Sequence, residues 1–294
     1  MDILKRVISD KFGLSFIYVD VSKTASILEQ KHLNGPSTAA LLGQSLVGSA
    51  LVSSRLKGNH ERITFQLKVD GPVGGIIVET GCDGSIRGYT GVKLLDEFDG
   101  TENVPEGEIL GEYGLLNVIR SNESGVLYSG QVSISSPEIK KLTAKYLNQS
   151  EQVPTGIEIF SSMHDFRVKK MTGLMVQKLP GANTEKFVHV LENFDDQSVR
   201  KILSHSKGID DFSELFEIDD LRLISEKELN FGCRCSYEKS ISIMNSLETV
   251  ELQGIIERKE NQKVTCHFCG ETYNLKWEDL QSVLLDKADT SHPT

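Results

Sequence analysis

Positive charge is in short supply in this sequence. Lys and Arg number 32 against 42 Asp and Glu, a formal net charge of -10 over 294 residues. Broad, phosphate-driven nucleic-acid binding needs a basic surface, so that class of function is disfavoured. An apolar signal core is also missing, since Met1-Asp2-Ile3-Leu4-Lys5-Arg6 runs on to Asp10 without one. This argues against secretion. The one stretch that invites a membrane reading, Ser37 to Ser54, carries no charge. Yet Ser, Thr, Gly or Gln fill nine of its eighteen positions, and it is short for a span, so it reads as a buried core helix. Neither a nucleophile elbow, a P-loop nor a dinucleotide fingerprint is present, and no enzyme class is indicated. Cysteine is scarce, at five residues. In a large chain without a signal, this points to the reducing cytoplasm, where thiols stay free.

What is present reads as an α+β protein. Phe16 to Val21 has strand character, and Ser22 is placed to cap a helix through Leu33. Gly35-Pro36 breaks that helix and Ser37 starts the charge-free one, which lacks a polar face and belongs under a sheet. Ile63, Phe65, Leu67 and Val69 alternate with Arg62, Thr64, Gln66 and Lys68, as a half-buried strand does. Further strands are expected at 75–80 and 85–89, joined by Cys82-Asp83-Gly84, then at 115–119 and 126–134 after an acidic, Gly-rich loop at 93–112. Ser135 and Glu138 have capping-box spacing ahead of a helix marked by Ile139, Leu142, Tyr146 and Leu147. Strands at 156–160 and 174–179 close the domain, and Pro180-Gly181 ends it.

Residues 184–230 change character. They hold twelve Asp or Glu against six Lys or Arg, with short helical patterns around Phe187, Val190 and Leu191, around Val199, Ile202 and Leu203, and around Phe212, Leu215 and Phe216. Isolated helices below about 12–15 residues are marginal in water, so these must pack against something and could detach from it. The expected organisation is an N-terminal sheet domain with a buried central helix (1–181), a helical linker (182–230) and a small C-terminal domain (231–294).

That last domain holds four of the five cysteines, as Cys233-Arg234-Cys235 and Cys266-His267-Phe268-Cys269. Paired thiolates at these spacings suit one tetrahedral zinc ion, with the intervening segment bringing the two knuckles together. Gly270 is placed for a tight turn with positive φ, which lets backbone N–H groups point at sulfur. Arg234, Lys239, Lys263 and His267 would soften the negative charge. A module this small gains only about 3–5 kcal/mol from its core, whereas structural zinc supplies about 10–16 kcal/mol in finger-sized peptides. The metal then decides whether the module folds. Were each pair to close on itself as a disulfide, the loops would be so short that each bridge would stabilise by about 2 kcal/mol at best. Neither bridge would join the two halves. Three readings stay open on spacing alone: a permanently reduced zinc knuckle, a redox switch that opens on oxidation, and a zinc ribbon that binds nucleic acid or a transcription partner. A thiol–disulfide enzyme is a weaker fourth, because no βαβ pattern surrounds Cys266 and Cys269.

Several motifs together resemble the redox-regulated 33 kDa heat-shock chaperone family, also called the 33 kDa chaperonin. Phe231-Gly232-Cys233-Arg234-Cys235-Ser236 and Val264-Thr265-Cys266-His267-Phe268-Cys269-Gly270-Glu271-Thr272-Tyr273 look like its two cysteine motifs. Val69-Asp70-Gly71-Pro72, Arg87-Gly88-Tyr89, Gln149-Ser150-Glu151-Gln152-Val153-Pro154-Thr155 and Gly173-Leu174-Met175-Val176-Gln177-Lys178-Leu179-Pro180-Gly181 resemble its signatures in the first domain. The resemblance covers nearly the whole chain, with a departure at Lys170-Met171, where small residues are expected. It implies a holdase that needs no ATP and is inactive when reduced and zinc-bound. Oxidation would give Cys233–Cys235 and Cys266–Cys269 disulfides, release zinc, unfold the linker and allow a homodimer to form. Exposed apolar surface would then hold unfolding client proteins, which pass later to ATP-driven foldases. Neither nucleic acid nor membrane is expected as a partner.

Other residues have plainer readings. Cys82 reads as a turn thiol, and His267 as solvent-facing beside four thiolates that already complete a tetrahedron. His164 and His205 have no catalytic context, and Asp210-Asp211 with Asp219-Asp220 reads as a solvated surface. Phe187, Leu191, Phe212, Leu215 and Phe216 are core residues that an opened linker would turn into client contacts.

Overall fold

The structure is a computed structural model and describes residues 1–58, 60–101, 104–195, 197–206 and 208–290. The chain separates into two compact units, Met1–Gly232 and Cys233–Thr294. The α+β expectation is borne out.

In the first unit the strands are β1 (Asp2–Ser9), β2 (Leu14–Asp20), β3 (Arg62–Val69), β4 (Ile76–Gly81), β5 (Ser85–Thr90), β6 (Gly114–Asn122), β7 (Gly125–Ser133), β8 (Thr155–His164), β9 (Arg167–Lys178) and β10 (Leu221–Phe231). The helices are α1 (Ser22–His32), α2 (Pro36–Ser53), α3 (Glu106–Leu110), α4 (Ile139–Gln149), α5 (Thr184–Asp195) and α6 (Ser198–Leu203), followed by a 3-10 turn at Ile209–Phe212. The strands lie in the order β7-β6-β3-β4-β5-β10-β1-β2-β9-β8. Neighbours are antiparallel except β5 and β10, which run parallel and meet only at Asn230↔Ser85 and Phe231↔Ile86.

The charge-free helix is the centre of this unit. All of α2 except Pro36 and Ala40 is buried, and no helix among the described residues is long and apolar enough to cross a membrane. Its polar side chains are satisfied inside the core. Ser45 donates to the Leu41 carbonyl and Ser53 to the Ala50 carbonyl, each at 2.8 Å, while Ser49 shares a 2.8 Å bond with Thr80. Buried hydroxyls that find such partners carry little penalty. The departure at Met171 has a partner here. Met171 is fully buried, and its side chain occupies the space over Gly43 that a Cβ there would fill.

Three helix starts are capped by carboxylates far away in sequence. Asp2 accepts the N–H groups of Lys23 and Thr24 at 2.9 and 2.6 Å, Asp99 that of Ser37 at 3.1 Å, and Glu106 that of Ile139 at 2.8 Å. Each carboxylate oxygen satisfies an N–H that has no partner within its helix. The capping box read from Ser135 and Glu138 is corrected accordingly: Glu138 stands at the N-cap without a side-chain bond, and Glu106 takes the role.

Strand β2 is buried on both faces. Ile17 and Val19 point into the core around α2, and Phe16 and Tyr18 into a second core. That alternation is the two-residue period of a strand. The second core is completed by Phe187, Val190, Phe194, Val199, Leu203, Phe212 and Phe216 from residues 184–218. Phe216 stacks on Phe16, Phe194 and Phe212 at ring-centre distances of 5.3, 6.1 and 5.9 Å. The short helices thus do pack, against the face of β2 and β9 opposite α2. Arg200 of α6 adds an ion pair at 3.0 Å to Glu158 of β8, which also meets Lys140 at 2.9 Å.

The helical reading of 182–230 fails at its end, because Leu221–Phe231 is a strand. It pairs along β1 from Asp2↔Leu229 to Ser9↔Leu221, with a 3.2 Å ion pair between Lys5 and Glu226. The charged side chains Arg222, Glu226 and Glu228 of this strand are exposed.

Candidate metal centre

The second unit is small. It contains α7 (Tyr237–Ile243), α8 (Thr249–Glu257), β11 (Gln262–Thr265), β12 (Thr272–Leu275) and α9 (Trp277–Thr290). Its core is built on Met244, Leu252, Ile255, Leu275, Leu280 and Val283. A core this thin supplies little stability by itself.

Local chemistry sets both knuckles. Ser236 stands at the N-cap of α7, accepts the N–H of Lys239 at 3.2 Å, and so fixes the helix directly after Cys235. Lys239 Nζ reaches back to the Arg234 carbonyl at 2.7 Å. The second pair lies in the turn between β11 and β12. Cys266 N–H donates to the Glu271 carbonyl at 2.9 Å and Gly270 N–H to the Cys266 carbonyl at 2.8 Å, with Gly270 at φ 74°. A positive φ is open to glycine without strain. The turn brings the N–H groups of Phe268 and Cys269 to Cys266 sulfur, and that of Glu271 to Cys269 sulfur.

The four sulfurs meet. Cys233 Sγ lies 3.4 Å from Cys235 Sγ and 3.7 Å from Cys266 Sγ, and Cys235 Sγ lies 3.4 Å from Cys269 Sγ. All four are within 4.8 Å of one another. A tetrahedral zinc thiolate site, with zinc–sulfur bonds of about 2.3 Å, places its sulfurs about 3.8 Å apart, so the donor set has the right size and softness. Electrostatics agree. Burial holds the Cys266 and Cys269 thiols above the ordinary cysteine range; Cys233 pushes both the same way, while backbone N–H groups, and for Cys266 the Cys269 thiol, pull down. Four crowded thiolates need a cation to remain ionised. Tyr273 donates its hydroxyl to Cys235 Sγ at 3.2 Å, a contact that raises the tyrosine's own pKa. Spacing alone gave no sign of that bond.

The remaining candidates do not join the cluster. His267 is exposed beside it. Cys82 is a half-buried turn residue whose N–H donates to the Glu61 carbonyl at 2.8 Å. His164 pairs with Asp165 and His205 with Ser204, both exposed. Asp210, Asp211 and Asp219 are exposed, whereas Asp220 is structural. It accepts Ser9 Oγ at 2.6 Å and Lys11 N–H at 2.8 Å, and these bonds hold its pKa low although burial opposes them. Of the linker apolar residues, Phe187, Phe212 and Phe216 are buried and Leu191 and Leu215 partly so.

The Hsp33 protein family model matches residues 2–276. The chain belongs to the Hsp33 family. A "33 kDa chaperonin" of a Cyanothece strain is 30% identical over 292 residues, covering 96% of each chain. One of Thermus thermophilus is 31% identical over 301 residues, covering 96% of this chain and 87% of the relative. Among solved structures, the crystal structure of a 33 kDa chaperonin (heat shock protein 33 homolog) from Thermotoga maritima is 23% identical. It aligns with a TM-score of 0.84 over 98% of this chain and 99% of that one, which is a likeness of fold.

Proposed function

We propose that this Hsp33-family protein is a redox-regulated, ATP-independent holdase of the cytoplasm, held inactive by zinc on Cys233, Cys235, Cys266 and Cys269. The observation that carries the reading is the pairing of sulfurs across the module: Cys233 beside Cys266 and Cys235 beside Cys269. A bound ion supplies a cross-link between the two knuckles, where the core is thin.

Oxidation removes that cross-link. In the pairing the family implies, Cys233 joins Cys235 and Cys266 joins Cys269. For each bridge two thiolates lose two electrons to one peroxide molecule, two protons are taken up, and two waters leave. Sulfurs committed to disulfides no longer act as thiolate ligands. Because the bridges stay within pairs, they close only very short loops and do not replace the cross-link. The module then opens, and the short helices of 184–218 leave the second core. Phe187, Leu191, Phe212, Leu215 and Phe216 become apolar surface for unfolding clients. Dimerisation of the oxidised form and later transfer of clients to ATP-driven foldases complete the cycle.

An aggregation assay with a thermally unfolding client tests this, run alongside zinc and thiol counts before and after peroxide. The expected result is protection by the oxidised, zinc-free form and little by the reduced form. Equal protection by both, or oxidation with zinc retained, overturns the regulation.

A further inference from the structure

The turn between β1 and β2, Ser9 to Gly13, holds both ends of the segment that covers the second core. The start of the segment is tied by backbone bonds. Leu179 N–H donates to the Gly13 carbonyl at 3.0 Å and Asn183 N–H to the Phe12 carbonyl at 2.9 Å. Gly13 stands at φ 66°, and a Cβ on it would meet Ala182 Cα at 2.8 Å, so the turn and the segment meet main chain to main chain. The end of the segment is tied by a side chain. Asp220 accepts Ser9 Oγ–H at 2.6 Å through one carboxylate oxygen and Lys11 N–H at 2.8 Å through the other. Ser9 is fully buried, and its Oγ also accepts Phe12 N–H at 3.2 Å. One hydroxyl thus sets both the turn and its hold on Asp220.

Charges flank this second attachment. Lys11 pairs with Asp219 at 3.5 Å and Arg222 with Asp10 at 3.1 Å, but both pairs are exposed and such pairs contribute little. Lys186 of α5 reaches Glu217 at 3.5 Å, and the Phe12 ring centre lies 5.3 Å from Lys186 Nζ and 5.0 Å from Lys11 Nζ. The two ends of the segment are rooted differently. Asn183 follows β9, a strand paired on both sides. Asp220 stands directly before β10, whose residues 221–229 pair with β1 alone among the described residues. From Asp220 the chain runs through β10 to Cys233 with no further element between.

We propose that Asp220 is a positioning residue that locks the covering segment shut, and that the segment opens from this end when β10 is no longer held. The proposal rests on the holdase reading and adds the place where release begins. Strand β10 joins the two units in sequence, so lost order beyond Cys233 reaches the first unit through it. Once β10 leaves β1, Asp220 parts from Ser9 and Lys11. Phe216 and Phe212 then lose their anchor first, while α5 with Phe187 stays tied at Asn183. The opened segment is a flap hinged at Phe12 and Gly13 rather than a free tail. In the zinc-bound protein the lock keeps the flap down, which matches an inactive reduced form.

The test is amide exchange in the full-length, reduced, zinc-bound protein. Phe216 N–H bonds the Phe212 carbonyl and Ile218 N–H the Ser213 carbonyl, and both report on the Asp220 end. Phe187 N–H bonds the Asn183 carbonyl and reports on the other end. Asp220→Asn removes the charge and Ser9→Ala the hydroxyl; if one variant fails to fold, the other carries the test. The expected result is exchange at Phe216 and Ile218 about tenfold faster, a factor that one lost bond to a charged group supplies. Phe187 and β3 are unchanged and zinc is retained. The peroxide dose for half-maximal client protection falls as well. Three results overturn the proposal: unchanged exchange at Phe216 and Ile218, equal acceleration at Phe187 or in β3, or faster exchange with an unmoved peroxide dose. Protection that does not depend on oxidation in the unsubstituted protein is failure of the holdase reading instead, and exchange at Phe216 still decides on the lock.

Discussion

The Tyr273 hydroxyl donates to Cys235 Sγ across 3.2 Å, and so ties strand β12 to the first cysteine pair. The bond occupies a lone pair of that sulfur and blocks one line of approach to it. Tyr273→Phe is expected to retain the fold and to release zinc several-fold faster under peroxide, followed with a chelating dye. An unchanged release rate would assign the hydroxyl a purely packing role.

Trp277 is the chain's one tryptophan and lies at the start of α9 in the second unit, with Lys259 Nζ 5.7 Å from its ring centre. Its fluorescence therefore reports that unit alone. Chelation of zinc from the reduced protein, or Cys269→Ser, is expected to shift Trp277 emission to the red and open the chain to protease near Lys239 and Lys263. The ten-stranded sheet keeps its far-ultraviolet circular dichroism. Unchanged emission after complete metal removal would mean that the thin core suffices.

Two glutamates predict opposite pH trends. Glu61 accepts the Gly58 N–H at 3.0 Å and Arg120 Nη2 at 2.7 Å, and these bonds hold its pKa below the ordinary range. A lowered folded pKa stabilises above the unfolded value of about 4.3, and the gain is lost as pH falls through the folded pKa. Glu61→Gln should cost about 1–3 kcal/mol at pH 7 and progressively less in acid. Burial raises the pKa of Glu106, so its ionisation opposes folding as pH rises above about 4.3. The stability of Glu106→Gln relative to the unsubstituted protein should improve with rising pH. Urea melts from pH 3 to pH 8 check both signs.

Glu158 is almost fully buried between Lys140 and Arg200, and Arg200 comes from α6. Arg200→Ala should weaken the hold of α6 on β8 by about 1–3 kcal/mol. Faster proteolysis between 184 and 206, and client protection at a lower peroxide dose, are the expected readouts. Normal resistance to protease would show that the aromatic stack alone keeps the segment in place.

Short-range patterns were legible in the sequence. Ile63, Phe65, Leu67 and Val69 announced β3 by alternation, and the charge-free run announced α2. The cysteine spacing brought together the same four sulfurs that the structure does. Long-range pairings were not legible. The carboxylates that cap α1, α2 and α4 lie 21, 62 and 33 residues from the N–H groups they accept. Lys5 on β1 and Glu226 on β10 look like solvent residues until the two strands are laid side by side. No local window holds such information, because it exists only in the packed chain.

The two-pair junction of β10 with β5 has a mechanical consequence. Two antiparallel sheets of five strands are sewn by one short parallel stitch at Asn230 and Phe231, two residues ahead of Cys233. A sheet so joined carries a notch, and a pull from Cys233 loads the notch before any full ladder. The stitch parts first, leaving each half with its own hydrogen bonds whole. The tear then runs along β10 away from β1, toward the residues that cover the second core.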